Sequence, residues 1–124
     1  MQKTDLNTSV ADLKKTITDF RNARGWDKYN DPYDIAVALS VEASEILQLL
    51  LWSKNTDVLA LIAAEPELKE RLAAEIADVF ALTLTLSDSL DFDLTQAFLS
   101  KMVVNGIKYP LSQDTVKCRK RWFE

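Results

Sequence analysis

The chain of 124 residues has no histidine, one cysteine, two glycines and three prolines. Each scarcity removes a class of protein. Without histidine there is no Ser-His or Cys-His catalytic pair, few zinc sites can be built, and the Glu-x-x-His iron centres of helical bundles are impossible. The lone Cys118 forms no internal disulfide, which fits a reducing cytoplasm, and with no imidazole to activate it the thiol reads as a bystander in a charged tail. So little glycine and proline leaves scant material for the turns of an all-β fold, whereas Ala, Leu, Lys, Glu and Asp are strong helix material. No apolar run approaches membrane-spanning length, and Met1 to Asp5 lacks the order of a signal peptide, so no membrane is expected as a partner. The formal net charge of −4 argues against nucleic acid, since basic residues gather only in Lys117, Arg119, Lys120 and Arg121.

What is present is amphipathic helix. Val10, Leu13, Ile17 and Phe20 recur at three and four, predicting a first helix over about Thr8 to Arg24 that stops at Gly25. A polar loop with two aromatics, Trp26 and Tyr29, leads to Pro32, which suits the first turn of a second helix ending near Trp52. One or two turns over Val58 to Ala64, a long helix from Pro66 to Ser89 and a last helix from Leu94 to Lys108, capped by Asp93, complete the pattern. The economical arrangement is all-α, a four-helix-bundle-like core formed by residues 1–110, followed by a basic tail over 111–124.

Two of these helices carry acid inside their apolar stripes. Around Glu42, in and just before "SVEASEILQLLLW", Ile35, Ala38, Leu39, Ile46 and Leu49 all fall within roughly 60° of it, and Glu45 follows three residues on. Around "RLAAEIADVFALTL", Leu68, Leu72, Val79, Leu82 and Leu86 bracket Glu75 in the same way, and Asp78 follows at three. Four unpartnered carboxylates in one core would cost several kcal/mol each, against a total stability of about 5–15 kcal/mol. Arg71 lies near the Glu75 face, but one guanidinium does not neutralise four charges. Protonation, a buried lysine, water in a cleft or a divalent cation are the remaining remedies. An all-oxygen ligand set favours a hard ion, Mg²⁺ or Mn²⁺, and such ions commonly hold phosphates.

The order Trp26, Glu42-x-x-Glu45, Trp52, Glu75-x-x-Asp78 and "KMVVNGIKYP" over Lys101 to Pro110 resembles the all-α nucleoside triphosphate pyrophosphohydrolases, the MazG-like and dCTP pyrophosphatase-like group. The likeness runs from about Phe20 to Pro110. It implies cleavage of a nucleoside triphosphate between its α and β phosphates, giving a monophosphate and pyrophosphate, with Glu42, Glu45, Glu75 and Asp78 as magnesium ligands. Glu45, with Glu42, would be catalytic, orienting or deprotonating the attacking water. Lys101, Asn105 and Lys108 share one face of the last helix and would reach phosphates or sugar, and Trp26 and Trp52 would stack on a base. Gln48 stands where many relatives have a further acid, and Asn30 where some have a histidine. The resemblance further implies a homodimer or homotetramer and a house-cleaning role on unwanted deoxynucleotides, with dCTP and dATP as candidates. Two rivals are a non-enzymatic helical interaction protein and a hydrolase of another pyrophosphate compound, such as a phosphoribosyl nucleotide or an alarmone.

Overall fold

A computed structural model describes residues 1–53 and 57–111. Cys118 and the basic tail lie outside the described residues. Five α-helices are present: α1 (Val10–Asn22), α2 (Pro32–Leu50), α3 (Val58–Ala64), α4 (Pro66–Ser89) and α5 (Leu94–Lys108), with a 3-10 turn at Asp27–Tyr29 between α1 and α2. No strand occurs among the described residues. The chain is all-α, and it divides into two compact units, Met1–Asp91 and Phe92–Glu124.

The helix starts follow from local chemistry. Ser9 caps α1 reciprocally with Asp12: the Asp12 amide donates to the Ser9 hydroxyl, and the Ser9 amide donates to the Asp12 carboxylate. That pairing satisfies two of the donors every helix N-terminus leaves over. Asp31, Asp57 and Asp93 accept from Tyr33, Ala60 and Gln96 in the first turns of α2, α3 and α5, each cap contributing about 1 kcal/mol. Gly25 leaves α1 with φ of 67°, a left-handed conformation costly for a residue with a Cβ. The second helix ends at Leu50 rather than Trp52, and Trp52 stands in the following turn, 92% exposed.

In the first unit α4 is the common partner of α1, α2 and α3. Ile35 of α2 and Leu68 and Leu72 of α4 are buried on the stripes expected from the periodicity, whereas Leu84, also buried, lies on the opposite side of α4, toward α1. Asn30 fastens one end of this packing. Its side-chain oxygen accepts from Arg21 Nη2 at 3.0 Å and Nε at 3.3 Å, and its backbone carbonyl accepts from the Ser89 hydroxyl at 2.7 Å. The C-terminal ends of α1 and α4 therefore meet just where α2 begins. Since α2 departs from the end at which α4 finishes, the two helices run antiparallel, and Glu42 and Glu45 come level with Asp78 and Glu75.

Asn30→Ala removes the acceptor for a charged donor but keeps the backbone bond to Ser89. The expected loss is about 1.5–3 kcal/mol of unfolding free energy, the range for hydrogen bonds to charged groups, read from urea denaturation.

Candidate functional site

The antiparallel register of α2 and α4 brings the two acid pairs together. Glu42, Glu75 and Asp78 each offer a carboxylate oxygen, all within 4.8 Å of one another, a grouping that can hold a metal ion. Glu42, Glu45 and Glu75 are half-buried and Asp78 is exposed, so the cluster opens toward solvent on the Asp78 side. Glu45 is not one of the three converging oxygens. It lies close enough to both Glu42 and Glu75 to push their carboxyls upward.

The electrostatics follow from this crowding. Partial burial, then the charges of Glu45 and Asp78, push the Glu42 carboxyl above the usual 4.5. For Glu75 the first cause is the hydrogen bond shared with Glu45, followed by partial burial and the charges of Glu45, Glu42 and Asp78, again upward from 4.5. Every influence on both glutamates runs in one direction. Arg71, exposed on α4, is not among them, so the pairing open to it in sequence does not relieve the cluster. Like charges held together favour either a shared proton or a bound cation.

Beside the cluster a groove of about 360 Å³ runs between α1 and α4. Leu13, Thr16, Ile17 and Phe20 form one wall; Ala77, Phe80, Ala81 and Leu84 form the other, and Asp78 belongs to both groove and cluster. Its volume is within the range of small-molecule sites. The sequence placed Phe20 on the apolar face of α1 but gave no sign of the groove. Phe80 lies off the α4 stripe, and only the pairing of α1 with α4 reveals what it faces.

The remaining expected site residues are distributed as follows. Trp26 is half-exposed, edge-on to Phe20 with centroids 5.9 Å apart and with the Arg21 guanidinium 6.0 Å from its ring centre. It thus adjoins a groove residue. Trp52 makes no comparable packing at the end of α2, being almost wholly exposed. Lys101, Asn105 and Lys108 belong to the second unit: the lysines are exposed, whereas Asn105 is buried with its amide 3.9 Å from the Met102 sulfur. Asn30 has the fastening role described above.

With this geometry in view, the profile of the MazG-like family matches residues 37–122, a span holding all four acids. The chain belongs to the MazG-like family. It is similar to dCTP pyrophosphatase 1 of Mus musculus, 28% identical over 103 residues, covering 83% of this chain and 60% of the relative. It is similar also to dCTP pyrophosphatase 1 of Homo sapiens, 26% identical over 102 residues, covering 82% and 59%. The chain thus spans about three-fifths of the length of these curated relatives. The crystal structure of a pyrophosphatase from Archaeoglobus fulgidus DSM 4304 superposes with a TM-score of 0.73 and 30% identity, over 89% of this chain and 96% of that one. No helix among the described residues is long and apolar enough to cross a membrane.

Because Glu42 and Glu75 bind protons more tightly folded than unfolded, their contribution to stability is present below about pH 4.5 and is lost as pH rises through their elevated folded values. In the metal-free protein, Glu75→Gln is therefore expected to melt above the parent at pH 7, with the gain shrinking toward pH 4.5. Thermal melts in a chelator across that range check it.

Proposed function

We propose that the protein hydrolyses deoxynucleoside triphosphates at the α–β bond, yielding a nucleoside monophosphate and pyrophosphate, with Mg²⁺, or Mn²⁺ in its place, at Glu42, Glu75 and Asp78. The observation that carries this reading is the set of three converging carboxylates, with no cation among the described influences on Glu42 and Glu75, beside a groove of about 360 Å³ that Asp78 also lines. The donor set fits the ion: all ligands are hard oxygens, and the upward pressure on Glu42 and Glu75 is what a bound dication would reverse. The family's relatives named as dCTP pyrophosphatase lend support.

When bound, the ion would draw charge from the phosphates and lower the pKa of a coordinated water. The protein's own part is positioning and proton transfer. Glu45, close to both Glu42 and Glu75, is the base: a water oxygen bonds to phosphorus, the bridging oxygen leaves with pyrophosphate, and the water's proton passes to the Glu45 carboxylate. The groove between α1 and α4 takes the nucleoside, with Asp78 at the boundary between phosphates and sugar. Trp26 borders its Phe20 end, while Trp52, Lys101, Asn105 and Lys108 are proposed to complete the substrate site in the assembled enzyme. Removal of unwanted deoxynucleotides in the cytoplasm is the role this chemistry suits.

Assembly is argued from α2. Val37, Val41, Leu47 and Leu51 are all exposed and lie within roughly 60° of one line on the side of the helix opposite Glu42. A helix apolar on both sides requires a partner on both. We assign the second partner to another copy of the chain, in a homodimer or homotetramer.

A panel of deoxynucleoside triphosphates with Mg²⁺ is expected to release pyrophosphate and no orthophosphate. Glu42→Gln and Glu75→Gln should each lose more than the roughly 10- to 100-fold that removal of an outer partner costs a metal site. Orthophosphate as the sole product, or full activity in either variant, would overturn the assignment; no turnover with either metal would favour the interaction-protein reading. Light scattering should give a multiple of the 14.0 kDa chain mass, and Val41→Lys with Leu51→Lys should reduce it to the monomer.

A further inference from the structure

The C-terminal end of α1 gathers two side chains around the Phe20 ring. Gly25, at φ of 67°, reverses the chain, and the Trp26 amide donates to the Arg21 carbonyl at 2.9 Å. That reversal sets Trp26 edge-on to Phe20. Arg24 folds back over the same ring. Its Nη1 donates to the Phe20 carbonyl at 2.9 Å, satisfying one of the acceptors a helix C-terminus leaves over, and its guanidinium carbon lies 3.5 Å from the ring centre. A separation so short is that of a planar cation stacked on the ring face. Phe20 lines the groove, so the Arg24 guanidinium stands at the groove's end, held by one hydrogen bond and one stack.

A guanidinium has five N–H donors. The Phe20 carbonyl takes one from Arg24, and the other four have no partner among the described residues. Two of those four, on Nε and Nη2, leave one edge in parallel as a fork. Arg21 has spent that same edge, since its Nε and Nη2 both donate to the Asn30 side-chain oxygen. The Trp26 indole holds a single N–H, and a single donor distinguishes little because every base edge carries an acceptor. Two parallel donors are met by two adjacent acceptors. Guanine has such a pair in O6 and N7, and cytosine in O2 and N3. Adenine sets its N6 amine beside N7, and thymine sets a ring N–H beside each carbonyl, so neither offers an adjacent pair. Resting on the pyrophosphohydrolase reading above, we infer that Arg24 reads the base and favours those with two adjacent acceptors, guanine and cytosine, over adenine and thymine. Arg24 is exposed, so water competes for the fork, and the preference belongs near the low end of the roughly 5- to 150-fold that a bidentate pair commands.

The test is kcat/KM for dATP, dCTP, dGTP, dTTP and 7-deaza-dGTP under identical Mg²⁺, with parent and Arg24→Lys. Lysine keeps the positive charge but is a point donor without a fork. The parent should favour dGTP and dCTP over dATP and dTTP by roughly tenfold, and 7-deaza-dGTP, in which carbon replaces N7, should fall to the level of dATP. Arg24→Lys should lower dGTP and dCTP by about that factor and leave the other three nearly unchanged. A drop common to all five substrates, as a contact from Arg24 to the phosphates would give, overturns the inference. So does a parent that turns over 7-deaza-dGTP as well as dGTP, or that favours neither dGTP nor dCTP. The 7-deaza-dGTP comparison is made in the parent, so it decides the matter even where Arg24→Lys folds poorly. Absence of pyrophosphate release from every substrate would instead overturn the activity on which the inference rests.

Discussion

Crowding of negative charge across the α2–α4 contact is the constraint around which the first unit is organised. Packing two helices through stripes that contain Glu42, Glu45, Glu75 and Asp78 forces carboxylates into one another's field, and among the described residues the influences on Glu42 and Glu75 include no cation. A helix pair selected for stability alone would place leucine at these positions. Holding the acids there sets aside some packing energy for a cluster that could hold a metal ion. The antiparallel register, fixed by Asn30 at one end, decides which acids face which.

The position of α4 explains how so small a unit can both tolerate this and offer a binding surface. It packs against α1, α2 and α3, so its faces must serve as core, as ligand platform and as groove wall within a few turns. Glu75 and Asp78, three residues apart, separate the cluster from the groove by only about 4.5 Å of axial rise. That is how Asp78 comes to belong to both. The small number of buried residues follows from the same economy: a short chain that spends helix faces on a cluster, a groove and an outer apolar stripe has few left for its interior.

Much of this was legible from residue order. The period of 3.6 placed Glu42 and Glu75 on core-facing stripes, and Ile35, Leu68 and Leu72 are buried as that period requires. The helix ends were legible within a few residues because Asp31, Asp93, Pro32 and Gly25 act locally. Harder to see was anything that depends on which helices touch. Phe80 lies off its own helix's stripe, and Phe20 reads as plain core until α1 is set beside α4. Arg71 appeared, from its neighbourhood on α4, to be a partner for Glu75; a helical side chain four residues away still points where its rotamer and packing send it. Asn30, noted in the sequence only as standing where some relatives have a histidine, ties three elements together, through a hydrogen bond spanning 59 residues of sequence that no local pattern encodes.

The separation between charged cluster and apolar groove has a consequence for how binding energy is used. Phosphates are common to every nucleoside triphosphate, so affinity drawn from the carboxylate cluster carries no information about the base. In the proposed reading, selectivity must come from contacts to the nucleoside, and a groove walled by mid-helix backbone has no main-chain N–H groups to spare for them. Loops can present unpaired donors to a ligand; helix interiors cannot. In this chain the groove walls present apolar side chains at Leu13, Ile17, Phe80 and Ala81, so any polar contact the proposed nucleoside makes must be supplied by side chains beyond those four positions.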